Sequence, residues 1–219
     1  MTKDEFLDLK KKHSHKNQYK VEDEDELKEM IKLAESIDMH MDLNWLDVSS
    51  IEDMSYLFKE SKFNGDISKW NVSNVRNMCC MFESSEFNSD ISNWDVSNVI
   101  DMDSMFANSK FNRDISKWNV RNVEDMSSMF RGSKFNGDIS KWDVSKVGNA
   151  IAFNPYLGIN NKKDLKDYIS FLNSIYNNRP IKADIKKEWL KTEGLLSYVA
   201  NRLSEDPKFV DKIKKLLCE

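Results

Sequence analysis

The chain has 219 residues, of which 40% are hydrophobic and 32% charged, and its net charge is −4 at pH 7. This composition supports a folded core with a well-solvated surface, and the slightly negative charge argues against nucleic acid as a partner. Six glycines and three prolines are too few for a low-complexity protein. The three cysteines, Cys79, Cys80 and Cys218, provide no even-numbered disulfide framework, so we expect reduced thiols.

Residues 1–37 are predicted to form a helical cap on the repeats that follow. Four apolar residues share the spacing of one helical face and predict a helix over about 24–37: Leu27, Met30, Ile31 and Ala34. A cap is expected because the open end of a repeat stack exposes apolar surface. The apolar residues around Phe6 leave two alternatives open, a second short helix or a loose start.

The N-terminal sequence contains no apolar segment of the signal-peptide type, and no apolar run approaches the length of a membrane span. We therefore expect a cytoplasmic protein that does not bind membranes. A surface or secreted location would require an export signal that has been removed. We also expect the protein to be a monomer.

A unit of 24 residues recurs without insertions from residue 38 onwards. Residues 62–85 have the sequence KFNGDISKWNVSNVRNMCCMFESS, and residues 86–109, 110–133 and 134–147 repeat it closely. Residues 38–61 are a fainter copy in the same register. A fixed unit length is expected where each unit returns the chain to the same place, as in a solenoid. The sequence therefore predicts five solenoid coils over residues 38–157.

Each unit combines two hydrophobic periods, which predict an α/β coil. Trp70 and Val72 are two residues apart, as in a short strand. The residues from Val75 to Phe82 have helical spacing, and Ser73 lies where a helix N-cap is expected. In the first copy, Ser49 and Glu52 have the spacing of a capping box. We thus predict a strand, a turn, a short helix and a turn, whose inward side chains stack on their counterparts: Phe63, Ile67, Trp70, Val72, Val75, Met78, Met81 and Phe82.

Two polar positions recur in every close copy of the unit. The asparagines are interpreted as a ladder that bonds backbone groups at a turn: Asn64, Asn88, Asn112 and Asn136. The aspartates suggest the same structural role, with calcium ligation between coils as the alternative: Asp66, Asp90, Asp114 and Asp138. Calcium-binding repeats need glycine-rich turns, and glycine is scarce here.

The string F-N-x-D-I-S-x-W-[ND]-V-[SR]-[NK]-V followed by M-x-x-M-F resembles the BspA-like leucine-rich repeat proteins, a bacterial and phage repeat family also described as a domain of unknown function. The resemblance covers about residues 38–147 and recurs in register. It implies a leucine-rich-repeat-like solenoid. Members of that family are often surface proteins that bind host or partner proteins, and they also occur in mycoplasmas, phages and large viruses. The resemblance offers no catalytic residues.

The repeat pattern decays after Val147, and residues 158–219 are predicted to be all helical. Asn154 and Pro155 indicate a turn, and Pro180 suits the start of a helix. The segment is either an extended C-terminal cap or a small helical subdomain.

No catalytic, metal-binding or cofactor-binding residues are predicted. His13 and His15 form an H-x-H pair without further ligands nearby. Cys79 and Cys80 occupy variable positions that we expect to face away from the core, where a tolerated substitution is the preferred interpretation over a reactive dithiol. The sequence lacks the common hydrolase, nucleotide-binding and metalloprotease motifs, so we expect no enzymatic activity.

The polar residues between the buried positions of each predicted strand form the predicted partner-binding site. Stacked coils would align them into one continuous mixed-charge surface, which is the usual binding surface of solenoids. We expect a protein–protein interaction module that inhibits a host defence or regulatory protein. The alternative is an adhesive or structural protein at a cell surface. The predicted site comprises Lys69, Asn71, Asn93, Asp95, Lys117, Asn119, Arg121, Lys141 and Asp143.

Overall fold

The computed structural model describes residues 1–139 and 141–148 of the chain. Helices α1 (Lys3–Lys12) and α2 (Glu24–Ile37) precede the repeats, with strand β1 (Tyr19–Lys20) between them. Strand β1 pairs in parallel with β2 (Leu46–Asp47) at the start of the repeats. The predicted helices of residues 158–219 lie outside the described residues.

Both N-terminal helices begin at side-chain caps. At α1, the Glu5 amide donates to Thr2 Oγ1 and the Thr2 amide donates to Glu5 Oε2, which completes a capping box. At α2, Asp23 Oδ1 accepts the Glu26 amide at 2.9 Å. Helix α2 and its buried apolar face are confirmed, and the first residues form the short helix rather than a loose start. The buried residues of α2 are Leu27, Met30, Ile31 and Ala34.

One continuous core joins the N-terminal helices to the repeats. All eight predicted inward positions of residues 62–85 are buried, which confirms their placement. Phenylalanine rings of successive repeats stack with centroids 5.2, 5.5 and 5.7 Å apart, in the order Phe58, Phe82, Phe106 and Phe130.

The repeat tryptophans occupy equivalent buried positions beside these rings. In Trp70, Trp94, Trp118 and Trp142, the indole Nε1 donates to a carbonyl 27 residues earlier, for example from Trp70 to Leu43 at 3.0 Å and from Trp142 to Ile115 at 3.1 Å. A buried indole N–H normally needs such a partner. Because the accepting carbonyl belongs to the preceding repeat, each tryptophan fixes the position of one repeat against the previous one.

The local structure inside the repeats differs from the predicted strand and helix. Among the described residues from 48 to 148, there is no α-helix, and the parallel pairing consists of single bridges. The reason is that, along the backbone, hydrogen bonds within a turn alternate with hydrogen bonds to the next repeat. The Met81 amide donates to Met78 O within a turn, whereas the Cys80 amide donates to Asp103 O of the next repeat at 2.8 Å. Neither a helical nor a strand-like run of bonds therefore develops.

The turns require a left-handed backbone at regular positions. Cys80 has φ 55° and Ser84 has φ 57°, each as the third residue of a four-residue turn, as in type II turns. Successive turns place inward side chains three residues apart, which imitates helical spacing. The predicted caps are also wrong: the amides of Ser49 and Ser73 donate to the side chains of Asp47 and Asn71, two residues earlier.

The asparagine ladder is confirmed. Asn64 Oδ1 accepts the Asn88 amide at 2.8 Å, and the same bond recurs from Asn112 to Asn88 and from Asn136 to Asn112. A second ladder, formed by the Nδ2 groups of asparagines at another position, reaches the preceding repeat, for example from Asn98 to Ser73 O at 2.8 Å. These side chains complement the backbone bonds that hold neighbouring repeats in register.

Candidate protein-interaction face

The nine predicted partner-binding residues are all exposed, and we call them the polar face. Exposure alternates with burial along each copy: Lys69 and Asn71 are exposed, whereas Trp70 and Val72 are buried. The alternation arises although the backbone here forms turns rather than a strand. The polar face comprises Lys69, Asn71, Asn93, Asp95, Lys117, Asn119, Arg121, Lys141 and Asp143.

Four members of the polar face have a local structural role. Each of these side chains accepts the amide of the residue two positions later, which closes an Asx turn. In repeat order, the Oδ1 acceptors and their distances are Asn71 at 3.2 Å, Asp95 at 3.1 Å, Asn119 at 3.4 Å and Asp143 at 3.1 Å. The side chain and backbone of Ser145 lower the pKa of Asp143 through hydrogen bonds. The shape of the turn thus accounts for these four residues.

The other five members make no side-chain hydrogen bond or salt bridge with the described part of the chain. Four of the five are basic and none is acidic, so the members without a structural role are predominantly positive, whereas Asp95 and Asp143 keep their negative charges beside them. They are Lys69, Asn93, Lys117, Arg121 and Lys141. Because basic groups prefer to face carboxylates or other anions, this set favours an acidic partner surface.

The recurring aspartates lie just before these basic residues in the chain. Asp66 Oδ1 and Asp114 Oδ1 each accept the amide of a serine two residues later, both at 2.9 Å. These bonds agree with the predicted structural role of the aspartates. The backbone and side chain of Ser116 lower the pKa of Asp114, and the nearby charge of Lys117 lowers it further. The carboxylates therefore form an acidic border along the basic positions.

A shallow cleft of about 380 Å³ opens at one end of this border. Arg113 and Asp114 line it from one repeat, and Gly137 and Lys141 line it from the next. Arg113 Nε donates to Asn88 O at 2.6 Å, which fixes the guanidinium on one wall. In the cleft, Lys141 of the polar face lies near Arg113 and Gly137, which are not among the predicted partner-binding residues.

A second group of polar side chains lies outside the polar face. We define the thiol–carboxylate cluster as Cys79, Cys80 and Asp103, whose ligand atoms all lie within 4.8 Å of one another. Cys80 is buried and Cys79 half-buried, so the expectation that both face outwards is wrong for Cys80. Burial raises the pKa of both thiols, that of Cys80 to about 12.

Sequence reasoning missed the thiol–carboxylate cluster because its members come from different repeats. Cys79 and Asp103 are one 24-residue unit apart, so they occupy equivalent positions in neighbouring repeats. Comparison of equivalent positions between adjacent copies would have paired them.

A family model matches the chain over residues 25–133 and again over residues 81–164, and its description is "Mycoplasma protein of unknown function, DUF285". The chain belongs to this DUF285 family. The two matches together include every described repeat and all of helix α2 except Glu24 of this DUF285 protein. No curated protein and no solved structure is significantly similar to it. Among its described residues, no helix is both long and apolar enough to cross a membrane.

Proposed function

We propose that this DUF285 protein is a non-catalytic protein-interaction module that binds a partner protein through the polar face. In this proposal, the five repeats form a leucine-rich-repeat-like solenoid of the BspA-like type. Parallel bridges that join Asp53, Asn77, Asp101 and Asp125 support it, because they link equivalent residues of four successive repeats. The resemblance of the repeat to BspA-like proteins supports it as well.

The observation that carries the proposal is the set of unpaired basic side chains on a frame fixed by hydrogen bonds. Lys117 and Arg121 are exposed on either side of the buried Trp118 and Val120. A rigid frame lowers the entropic cost of binding, because the contact groups are already in place. Attraction to an acidic partner would also raise the association rate and make it sensitive to salt.

The test uses charge reversal on the polar face with a control that carries the same charge change elsewhere. Lys117→Glu combined with Arg121→Glu alters the polar face. The control combines Arg131→Glu with Lys134→Glu, two exposed basic residues of the same part of the chain that lie outside the polar face. Proteins from the native host are captured on the three full-length proteins and identified by mass spectrometry, and the purified partner is then titrated by calorimetry.

We expect the wild type and the control to bind the same partner with similar affinity, and the polar-face variant to bind at least about tenfold more weakly, a loss of about 1.4 kcal/mol. Circular dichroism should show that all three proteins are equally folded. Equal affinity of all three for the partner would place its binding site elsewhere and would contradict the proposal. Absence of any partner that distinguishes the two variants would do the same.

A further inference from the structure

We propose that Cys79, Cys80 and Asp103 form a binding site for a thiophilic divalent cation, of which Zn²⁺ is the natural candidate. This site is independent of the polar face. Thiolate and carboxylate groups are established zinc ligands, and three protein ligands leave one position open for water.

Two of the three distances between ligand atoms of the thiol–carboxylate cluster are close to those of a tetrahedral zinc site, and the third, from Cys80 Sγ to the Asp103 carboxylate, is at most 4.8 Å. Cys79 Sγ and Cys80 Sγ are 3.5 Å apart, and Cys79 Sγ is 3.9 Å from Asp103 Oδ2. With Zn–S near 2.3 Å and Zn–O near 2.0 Å, tetrahedral geometry requires about 3.8 Å between two sulfurs and about 3.5 Å between sulfur and oxygen. Both measured distances therefore lie within a few tenths of an ångström of what the ion needs.

The backbone holds the ligands in place from both repeats. The Cys80 amide donates to Asp103 O at 2.8 Å, which ties the dithiol directly to the residue that carries the carboxylate. The Cys79 amide donates to Asn77 Oδ1 at 2.9 Å, and the Asp103 amide donates to Asp101 Oδ1 at 2.8 Å. Ser104 Oγ donates to Asp103 Oδ1, so that Oδ2 is the oxygen that faces the thiol. Such supporting bonds are typical of groups that orient metal ligands.

The surroundings of the thiol–carboxylate cluster are negatively charged. Asp101 and Asp125 interact electrostatically with Asp103, and Glu83 interacts with Cys80. Lys59 interacts electrostatically with Cys80, and its Nζ is paired with Glu83 Oε2 at 2.9 Å. Bound Zn²⁺ would offset this excess of negative charge.

Among the repeats that the structure describes, the cluster occurs once. At the positions of Cys79 and Cys80, the other described repeats carry Ser55 and Tyr56, Asp103 and Ser104, or Ser127 and Ser128. These other pairs contain no thiol, so the shape of the turn does not demand cysteine. Tyr56 lies on the opposite side from Asp103, with its hydroxyl 4.0 Å from Cys79 Sγ. The half-buried Cys79 leaves a path for an ion to enter.

The experiment is a Cd²⁺ titration of the full chain, freed of any histidine tag and kept reduced, followed by the ultraviolet charge-transfer absorbance of the thiolate–cadmium bond. Cys79→Ser and Cys80→Ser test the thiols, and Asp103→Asn tests the carboxylate. Cys218→Ser is the matched control, because it removes the one cysteine outside the cluster. Zn²⁺ affinity is then measured by competition with a chromophoric chelator.

We expect the wild type and Cys218→Ser to bind one Cd²⁺ with the absorbance of two thiolates, and each cluster cysteine variant to lose about half of that absorbance. Asp103→Asn should retain the band but bind at least about tenfold more weakly. Unfolding curves of the metal-free proteins establish that the variants fold. The site is refuted if folded wild type shows no saturable band, if the band depends on Cys218, or if Asp103→Asn binds as tightly as the wild type. None of these outcomes depends on the polar face.

Discussion

Each repeat tryptophan combines burial of a large ring with a hydrogen bond to the previous repeat. The side chain of Trp118 is 4% exposed, and its ring stacks on Trp142 with centroids 6.5 Å apart and planes 6° from parallel. Its Nε1 donates to Ile91 O at 3.2 Å. Loss of this residue would therefore open a cavity and remove the bond to the preceding repeat, although Ile91 O would keep the Trp94 amide as a donor at 3.1 Å.

We predict that Trp118→Ala lowers the free energy of unfolding by roughly 3–5 kcal/mol. Trp118→Phe keeps much of the buried ring but removes the Nε1 donor, so its cost should be smaller than that of alanine. Urea unfolding followed by circular dichroism measures both. An unchanged midpoint for Trp118→Ala would contradict the inward position of this ring.

The side chains at the parallel bridges bring several carboxylates close together, and their negative charges repel one another. Asn77 Nδ2 donates to Asp53 Oδ2 at 3.0 Å, whereas the next two positions carry the carboxylates of Asp101 and Asp125. Burial raises the pKa of Asp101, and the charges of Asp125 and Asp53 raise it further. Ionised Asp101 therefore costs stability in the folded protein.

We predict that Asp101→Asn, which copies the residue of the preceding repeat, stabilises the protein at pH 7 by up to about 1 kcal/mol, the scale of a partly exposed charge interaction. Because the folded-state pKa of Asp101 is raised, the cost of its ionisation appears as the pH rises through its titration range and is absent below it. Urea unfolding at pH 7 and near pH 3 should therefore show an advantage at the higher pH only. An equal advantage at both values would exclude the electrostatic cause.

At the scale of elements, the sequence predicted α2 well but not the structure within the repeats. Helix α2 has a side-chain cap at Asp23 and an apolar face, and both signals are local. The predicted helix from Val75 to Phe82 had only the spacing of its apolar residues. Turns that close after three residues produce nearly the same spacing, so periodicity alone did not separate the two. The bonds that decide between them run to the next repeat.

The turns also place ordinary residues in a backbone conformation that favours glycine. Ser84 has φ 57°, and Gly132 occupies the equivalent position two repeats later with φ 65°. A side chain with a Cβ in this region costs about 1 kcal/mol or more, and β-branched residues are the least tolerated. The exposed position of Ser84 makes it a clean site for measuring this strain.

We predict that Ser84→Gly raises and Ser84→Val lowers the free energy of unfolding relative to Ser84→Ala, each by about 1 kcal/mol. Alanine is the reference because it carries a Cβ without further contacts. The three variants are compared by urea unfolding under one set of conditions. The reverse order, with valine the most stable, would show that the turn conformation at this residue is not left-handed.

For the whole molecule, the proposed solenoid implies that a complete repeat is a removable unit. Deletion of residues 86–109 joins Ser85 to Lys110, which begins the next unit at the same point. We predict that this deletion retains a cooperative unfolding transition at lower stability, because one interface between repeats is lost. Deletion of residues 86–97 removes half a unit and should abolish the transition. Equal behaviour of the two deletions would contradict the proposed stack.

The sequence predicts which residues of the polar face are exposed, but it does not predict the hydrogen bonds that they make. Alternating polar and apolar residues sufficed to predict the exposure of all nine members. The Asx turns at Asp95 and Asn119 depend on local backbone geometry, which the alternation does not specify. The thiol–carboxylate cluster depends on contacts between repeats, which become visible in the sequence only when equivalent positions are compared.

Backbone bonds link neighbouring repeats in both directions, each at its own position of the unit. The Ile100 amide donates to Arg76 O of the preceding repeat at 2.8 Å. The amides of Met54, Met78 and Met102 each donate to a carbonyl of the following repeat. The row of repeats therefore has a polarity, with unlike chemistry at its two edges, as in a filament whose ends differ. A second copy that joined the last described repeat by the same bonds would have to offer carbonyl and amide groups at the matching positions, so copies could associate by these bonds head to tail but not tail to tail.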